Sequence, residues 1–325
     1  MAYTDIDDPS SVFQVALHTG DGNAQDITNG GNSDLQPDLV WIAMRNAADN
    51  KVWFDSVRGV TKRLVSNLTS AEATVSDMVT AFNSDGFSLG TNSNVTGDNK
   101  TFVDWQWKKV AGVFDIQIYT GNGNARTIAH NLGAVPKVMI IKKRNTTAPW
   151  SFGHASLGAN QVLELDATDA VATDNSYWNN TRPTSSVFSV GTDGNQNTNN
   201  HTYVIYLFGD KKGMSKIGSY TGNGNVNGNF IYTGFKPAFI LIKGSANTEN
   251  WSIYDNKRLG YNVDNNVITS NTTAGELTDD NIDLLSNGFK IRRATGLLND
   301  AQNYIFMAFA EQPLVTSTGV PATAR

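Results

Sequence analysis

Several strings in this chain carry the residue types of a reactive site. Gly86-Phe87-Ser88-Leu89-Gly90 spells G-x-S-x-G, the sharp strand-to-helix turn that lifts a serine nucleophile out of a sheet. The pairs Gly20/Gly22, Gly121/Gly123 and Gly222/Gly224 would let backbone N–H groups approach a phosphate, if a helix N-terminus stood behind them. His18, His130, His154 and His201 are candidate metal ligands. Carboxylates gather at Asp279, Asp280 and Asp283, and more loosely at Asp166, Asp169 and Asp174, where hard oxygen donors suit calcium. Trp41, Trp53, Trp105 and Trp107 crowd into the first third of the chain, as flat rings for sugar stacking or for a core. Asp55 and Arg58, echoed by Asp255 and Arg258, have the charges of a ligand clamp or of a structural ion pair.

The elements that must position these groups come in three copies. Thr19-Gly20-Asp21-Gly22-Asn23 recurs from Thr120 and again from Thr221, 101 residues apart each time. Phe87, Phe188 and Phe289 keep that interval, as do Phe102, Tyr203 and Tyr304. Pro37, Pro136 and Pro237 each open an apolar run, and Trp53, Trp150 and Trp251 follow at similar distances. The division is a short arm (1–12), repeats at 13–112, 113–213 and 214–315, and a short tail (316–325). A unit of this length can bury its own core, so each copy reads as a domain and not as a solenoid rung. Only Val110–Val113 and Lys212–Ser215 lie between copies, which predicts close, semi-rigid packing.

Within a copy the signals are those of strands. Val12–Leu17 and Phe114–Tyr119 run into glycine turns, the pattern of a half-buried strand and a tight turn. Leu39–Ile42, Val138–Ile141 and Phe239–Ile242 are continuously apolar, which predicts a central strand covered on both faces. Each copy closes on an aromatic strand, at 102–107, 203–208 and 304–309. There the odd-numbered Val103, Trp105 and Trp107 share one face. These features predict an all-β fold of three tandem β-sandwiches, jelly-roll or lectin-like, with seven to nine short strands per copy. A brief helix is expected near Ala71–Phe82 in the first copy.

The repeat also weighs the motifs. Ser88 aligns with Ser189 and then Lys290, and Gly86 with Val187, so the elbow is not kept and a strand turn is the better reading. Strands and asparagines, not helices, follow the Gly-x-Gly pairs, which fits glycine serving a positive φ. His18 becomes Tyr119 and Tyr220, and the four histidines lack metal-ligand spacing. Trp105 and Trp107 align with apolar Tyr206/Phe208 and Met307/Phe309, which predicts core packing. Asp55–Arg58 and Asp255–Arg258 are expected to be structural pairs. No catalytic residue, metal ligand or cofactor is assigned, and no ligand-binding residue is singled out.

Composition narrows the function classes further. The 325 residues carry a net charge of −5, only 17% charged residues and no cysteine. No basic stripe is present to displace counterions from a nucleic acid, so none is expected as a partner. No disulfide frame is possible. The acidic opening Met1–Pro9 has neither a basic nor an apolar region of a secretory signal, and no apolar run approaches a bilayer span, so membrane insertion is not expected.

Beyond the repeat, particular strings resemble a known group. Tyr119-Thr120-Gly121-Asn122-Gly123, Gln36–Ile42, Trp53–Gly59, Ser84–Gly90 and the ending Ala310–Arg325 resemble a repeat in tailed-bacteriophage virion proteins. Such proteins are common in marine phages and are usually called tail-fibre or structural proteins. The second copy departs most, since Asp55 and Arg58 have no clear counterparts there. The resemblance implies a virion location after assembly in the host cytoplasm, and it brings no catalytic residues. The expectation is a non-enzymatic tail-fibre or receptor-binding component. Its partners would be other virion proteins, a further copy of itself, and a host-surface glycan or protein. The alternative is a capsid decoration or a tail or baseplate scaffold with no receptor role.

Overall fold

The computed structural model describes residues 4–259, 261–294 and 296–322. The fold is all-β and antiparallel. In the first repeat a six-stranded sheet runs in the order Phe13–Thr19, Thr101–Trp107, Leu39–Met44, Val52–Asp55, Lys62–Val65, Ala73–Thr74. The second repeat writes the same order with Phe114–Thr120, Thr202–Phe208, Val138–Lys143, Ser151–His154, Gln161–Glu164 and Ala172–Thr173. The third begins identically with Ser215–Thr221, Asn303–Pro313, Phe235–Gly244, Ser252–Asp255 and Asp264–Thr269. In each, the continuously apolar strand is flanked on both sides, and every residue of it is buried. A small sheet lies over each large one: Gln25–Ile27, Phe87–Leu89 and Val79–Phe82 in the first repeat, Arg126–Ala129 with Val187–Val190 in the second. In the third, Leu277–Leu285 runs from one layer into the other and joins them into eight strands.

Strand alternation sends successive side chains to two different cores. Even-numbered Val40, Ile42, Phe54 and Phe102 meet the small sheet of their own repeat, with Phe87 and Leu89. Separate cores of the same kind form around Ile141, Phe188 and Ile205, and around Ile240, Phe289 and Phe306. Odd-numbered Trp41, Trp53, Trp105 and Trp107 face the other way, into one larger core shared by all three repeats. So each copy encloses an interior of its own and also leaves an apolar face that the other two copies cover.

The shared core has a threefold plan. Trp107, Phe208 and Phe309 are counterparts, one per repeat, and they touch in a triangle with ring centroids 6.1, 5.8 and 5.7 Å apart. Edge-to-face contacts of this length suit the ring quadrupoles. The three repeats thus close around a pseudo-threefold axis.

Several expectations resolve at this level. The Gly-x-Gly turns are built as glycine turns: a Cβ on Gly20, Gly121 or Gly222 would lie within 2.3 Å of a backbone oxygen. Gly22, Gly123 and Gly224 take φ of +78°, +76° and +65°. The helix expected near Ala71–Phe82 is not formed. Ala73–Thr74 and Val79–Phe82 are strands, favoured by β-branched Thr74, Val75, Val79 and Thr80, with Val79 buried in the outer core. Residues 4–12 lie against the body: Thr4 Oγ1 donates to the Lys212 carbonyl (3.2 Å), and Asp5 pairs with Lys211 (2.9 Å).

The second repeat differs from the first by a size exchange in its outer core. Strand register aligns Phe54, Gly153 and Tyr254, and Trp178 stands where the first repeat has Val79. A Cβ on Gly153 would lie 2.8 Å from the Trp178 ring. Gly153→Phe is therefore expected to cost about 1–3 kcal/mol by overpacking. Gly153→Phe/Trp178→Val, which restores the first repeat's pair, should recover most of that loss in urea unfolding.

Candidate functional site

The polar side chains that reach out of each repeat converge on the three seams where neighbours meet. Register places Asp55, His154 and Asp255 at one position, opposite Leu39, Val138 and Phe239. Each crosses to the aromatic strand of the next repeat. Tyr206 Oη donates to Asp55 Oδ2 (2.7 Å), and Trp105 Nε1 donates to Asp255 Oδ2 (3.0 Å). The third counterpart, Met307, has no donor. There His154 Nε2 reaches the backbone carbonyl of Phe306 instead (3.2 Å). The three bonds run from first to second, second to third and third to first repeat, so the ring closes.

Around two of these bonds stands the same ion network. Arg58 Nε meets Asp55 Oδ2 at 2.5 Å, and Arg258 Nε meets Asp255 Oδ2 at 2.6 Å, all four side chains fully buried. Arg58 goes on to Glu72 (3.1 Å), which takes a two-pronged grip from Arg144 of the second repeat (2.8 and 3.0 Å). Arg258 goes on to Glu276 (3.3 Å), gripped likewise by Arg45 of the first repeat (3.0 and 3.2 Å). Despite half burial, Glu72 is held below its ordinary pKa by these two guanidiniums.

The remaining seam exchanges the whole set. Matching backbone bonds identify the counterparts: Glu72 N–H donates to the Arg144 carbonyl, Val171 N–H to Ser245, and Glu276 N–H to Arg45 (2.8, 2.9 and 2.7 Å). Asp, Arg, Glu and Arg at two seams thus become His154, Leu157, Val171 and Ser245 at the third. Leu157 and Val171 join the shared core. Replacing all members together avoids a buried charge with no partner, whose cost exceeds that of having no charge.

His154 is held neutral. Nδ1 accepts the Ser156 N–H (3.1 Å), so the proton sits on Nε2, facing the Phe306 carbonyl. Burial pushes its pKa down to about 4, and the positive charge of Arg182 adds to that. The unfolded chain therefore binds a proton near pH 6.5 that the folded chain refuses until about pH 4. The stability this confers is complete above pH 6.5 and is lost as pH falls through 4. Urea midpoints measured from pH 7 to 4 should fall more steeply for the wild type than for His154→Met.

A second register position corrects the tryptophan alignment. Trp150 and Trp251 each precede their strand, and the residue in that place in the first repeat is Lys51, two before Trp53. Trp150 Nε1 donates to the Val65 carbonyl of the first repeat, and Trp251 Nε1 to the Glu164 carbonyl of the second, both at 2.9 Å. Lys51 Nζ does the equivalent work, donating to the Ala274 carbonyl of the third repeat (2.6 Å). The other two repeats place a buried lysine on the central strand. Lys142 Nζ donates to the Thr69 carbonyl (2.7 Å) and lies 5.8 Å over Trp150, while Lys243 Nζ donates to the Gly244 carbonyl (2.6 Å). Their counterpart in the first repeat is Ala43. Burial pushes all three ammonium groups down to about 8.

The other candidates are placed as follows. Ser88 Oγ donates to Asp26 Oδ1 (2.5 Å) and accepts from Asn83 (3.0 Å), on a strand with no helix behind it. His18 is sandwiched between Asp104 Oδ2 (2.7 Å) and the Val95 carbonyl (2.8 Å). Its counterparts Tyr119 and Tyr220 donate to the Gln196 and Leu298 carbonyls, both at 2.8 Å. His130 Nε2 faces the Thr184 carbonyl and His201 Nδ1 the Asn145 side chain. Asp166 accepts the Trp150 N–H (2.8 Å), and Asp174 caps the helical turn Asn175–Trp178. Asp279 and Asp280 fall outside the described side chains. No group of three His, Cys, Asp or Glu residues with metal-site geometry occurs among the described residues. Trp41, Trp53, Trp105 and Trp107 are at most 1% exposed, which removes them as sugar platforms.

These seams define a class: a single-chain, pseudo-threefold all-β body whose buried polar groups lock three repeats into a ring. A family model described as "Domain of unknown function (DUF7483)" matches residues 8–313, across all three repeats. The chain belongs to that family. No curated protein matches it. No helix among the described residues is long and apolar enough to cross a membrane.

Proposed function

We propose that this protein is a non-enzymatic surface component of a tailed-bacteriophage virion, a tail-fibre or receptor-binding part that contacts the host. The observation that supports it is the axial triangle of Trp107, Phe208 and Phe309 with its three closing seams. One chain with this plan offers three similar faces to a threefold seat, while fusion lets each face diverge on its own. The loops Asp21–Asn23, Asn122–Asn124 and Asn223–Val226 are exposed in all three repeats, so each repeat presents the same accessible turn to a partner. Immunogold labelling of purified particles tests the reading. Label at the tail supports it, and particles without label overturn it. Binding of the protein to a host-surface glycan or protein would support the receptor role.

A second reading follows from the same triangle. A pseudo-trimer also fits a local threefold position on a capsid, as a decoration protein with no receptor. Label on the head would select it.

A further inference from the structure

The second repeat carries a cavity of about 290 Å³ on its outer side, beside Trp178. Its lining mixes apolar residues, Val135, Pro136, Met139 and Pro183 among them, with polar ones. Two cations line it, Lys137 and Arg182, and no carboxylate does, in a chain whose net charge is −5. Three of the wall residues mark departures of this repeat from the first. Gly153 stands for Phe54 and Trp178 for Val79. Lys137 stands for Asp38, whose carboxylate in the first repeat is occupied by Ser56 (2.6 Å) and the Lys109 N–H (2.7 Å). Arg182 is anchored by donating to the Leu157 carbonyl, which fixes a guanidinium at the rim. Gln161 is part of the lining and receives the Gly158 N–H on its Oε1 (2.6 Å), leaving its amide nitrogen as a donor. Two cations and an amide donor thus stand beside apolar surface with no carboxylate among the lining residues, a composition that selects a ring with one negative group.

We propose that this cavity binds a small ring-bearing carboxylate, with the carboxylate between Lys137 and Arg182 and the ring against the accessible apolar surface of Val135 and Pro183. The shared chemistry fits either an acidic sugar residue or an aromatic acid. It does not depend on where the protein sits in a particle.

The test is saturation-transfer NMR on the full chain with glucuronate, N-acetylneuraminate and benzoate, beside the neutral probes glucose and benzyl alcohol. Saturable binding of at least one acid, without binding of its neutral partner, is the expected result. Binding of the sugar acids assigns a glycan source, and binding of benzoate alone assigns an aromatic acid. Lys137→Met should weaken the acid about tenfold or more, the loss of one charge-assisted contact. Ala155→Trp, a substitution at an exposed wall residue, should block it while leaving the thermal midpoint in place. Absence of binding by all three acids, or equal binding by wild type and both variants, overturns the proposal.

Discussion

Asp55→Ala is expected to destabilise the whole chain by about 3–5 kcal/mol, the cost of stranding a buried guanidinium. Asp55 is the hub of the first seam. Its Oδ1 takes the N–H groups of Val57 and Arg58 (3.1 and 2.8 Å), and its Oδ2 takes Arg58 Nε and the Tyr206 hydroxyl. Without it, Arg58 keeps Glu72 and two carbonyls but loses its closest counter-charge, and the Tyr206 hydroxyl loses its acceptor in a fully buried site. Tyr206→Phe removes the cross-repeat bond alone and should cost about 1.5–3 kcal/mol, typical of a hydrogen bond to a charged group. The double variant should lose less than the sum, because the two groups share one bond. Urea unfolding followed by tryptophan fluorescence and by far-ultraviolet circular dichroism measures all three. Both probes should report one transition, since the shared core couples the repeats. Separate transitions, or a change below 1 kcal/mol for Asp55→Ala, would mean that the seams do not bind the ring together.

The repeat unit, its strands and the inward tryptophans were legible because they depend on local alternation. A residue two along a strand returns to the same face, whatever lies opposite. That is why Val103, Trp105 and Trp107 could be assigned to one side and Asp55–Arg58 to a structural pair. The seams were hidden for a different reason. They join residues of different repeats, and no period within a copy reports which neighbour a side chain will meet. Lys51 shows the point. By similarity of type, Trp53 was the natural partner of Trp150 and Trp251. Counting back from Asp55, His154 and Asp255 puts Lys51 there instead, and its ammonium performs the indole's bond by another chemistry. The replacement of Asp, Arg, Glu and Arg by His154, Leu157, Val171 and Ser245 was invisible for the same reason. Each change alone looks like loss of the motif, and only the shared contact reveals one concerted exchange. The central axis, too, leaves no mark in the sequence, because equal spacing along a chain fits separate beads as well as a ring.

The second large effect lies in the outer core of the first repeat, where His18 and Asp104 form a buried pair that the other copies lack. Both ring nitrogens of His18 face acceptors, Asp104 Oδ2 and the Val95 carbonyl, so both must donate, and only the imidazolium can do that. Burial alone would push the His18 pKa down, but the charge of Asp104 and its hydrogen bond outweigh it and hold the pKa above 6.5. A raised folded pKa means stability that is complete below the unfolded value of 6.5 and is lost as pH rises through the folded one. His18→Phe keeps the stack on Phe102 (4.7 Å) but leaves a fully buried carboxylate alone, and should cost about 3–5 kcal/mol at neutral pH. His18→Tyr/Asp104→Ile rebuilds the second repeat's pair, Tyr119 and Ile205, in which a hydroxyl meets the same turn carbonyl and no charge is buried. That variant should be at least as stable as the wild type and should lose the alkaline decline. Asp104 Oδ1 is buried without a hydrogen-bond partner, so the native pair is imperfect and leaves room for such a gain. A double variant as unstable as His18→Phe would show that the first repeat's turn needs its charge, and that the three copies are not interchangeable at this position.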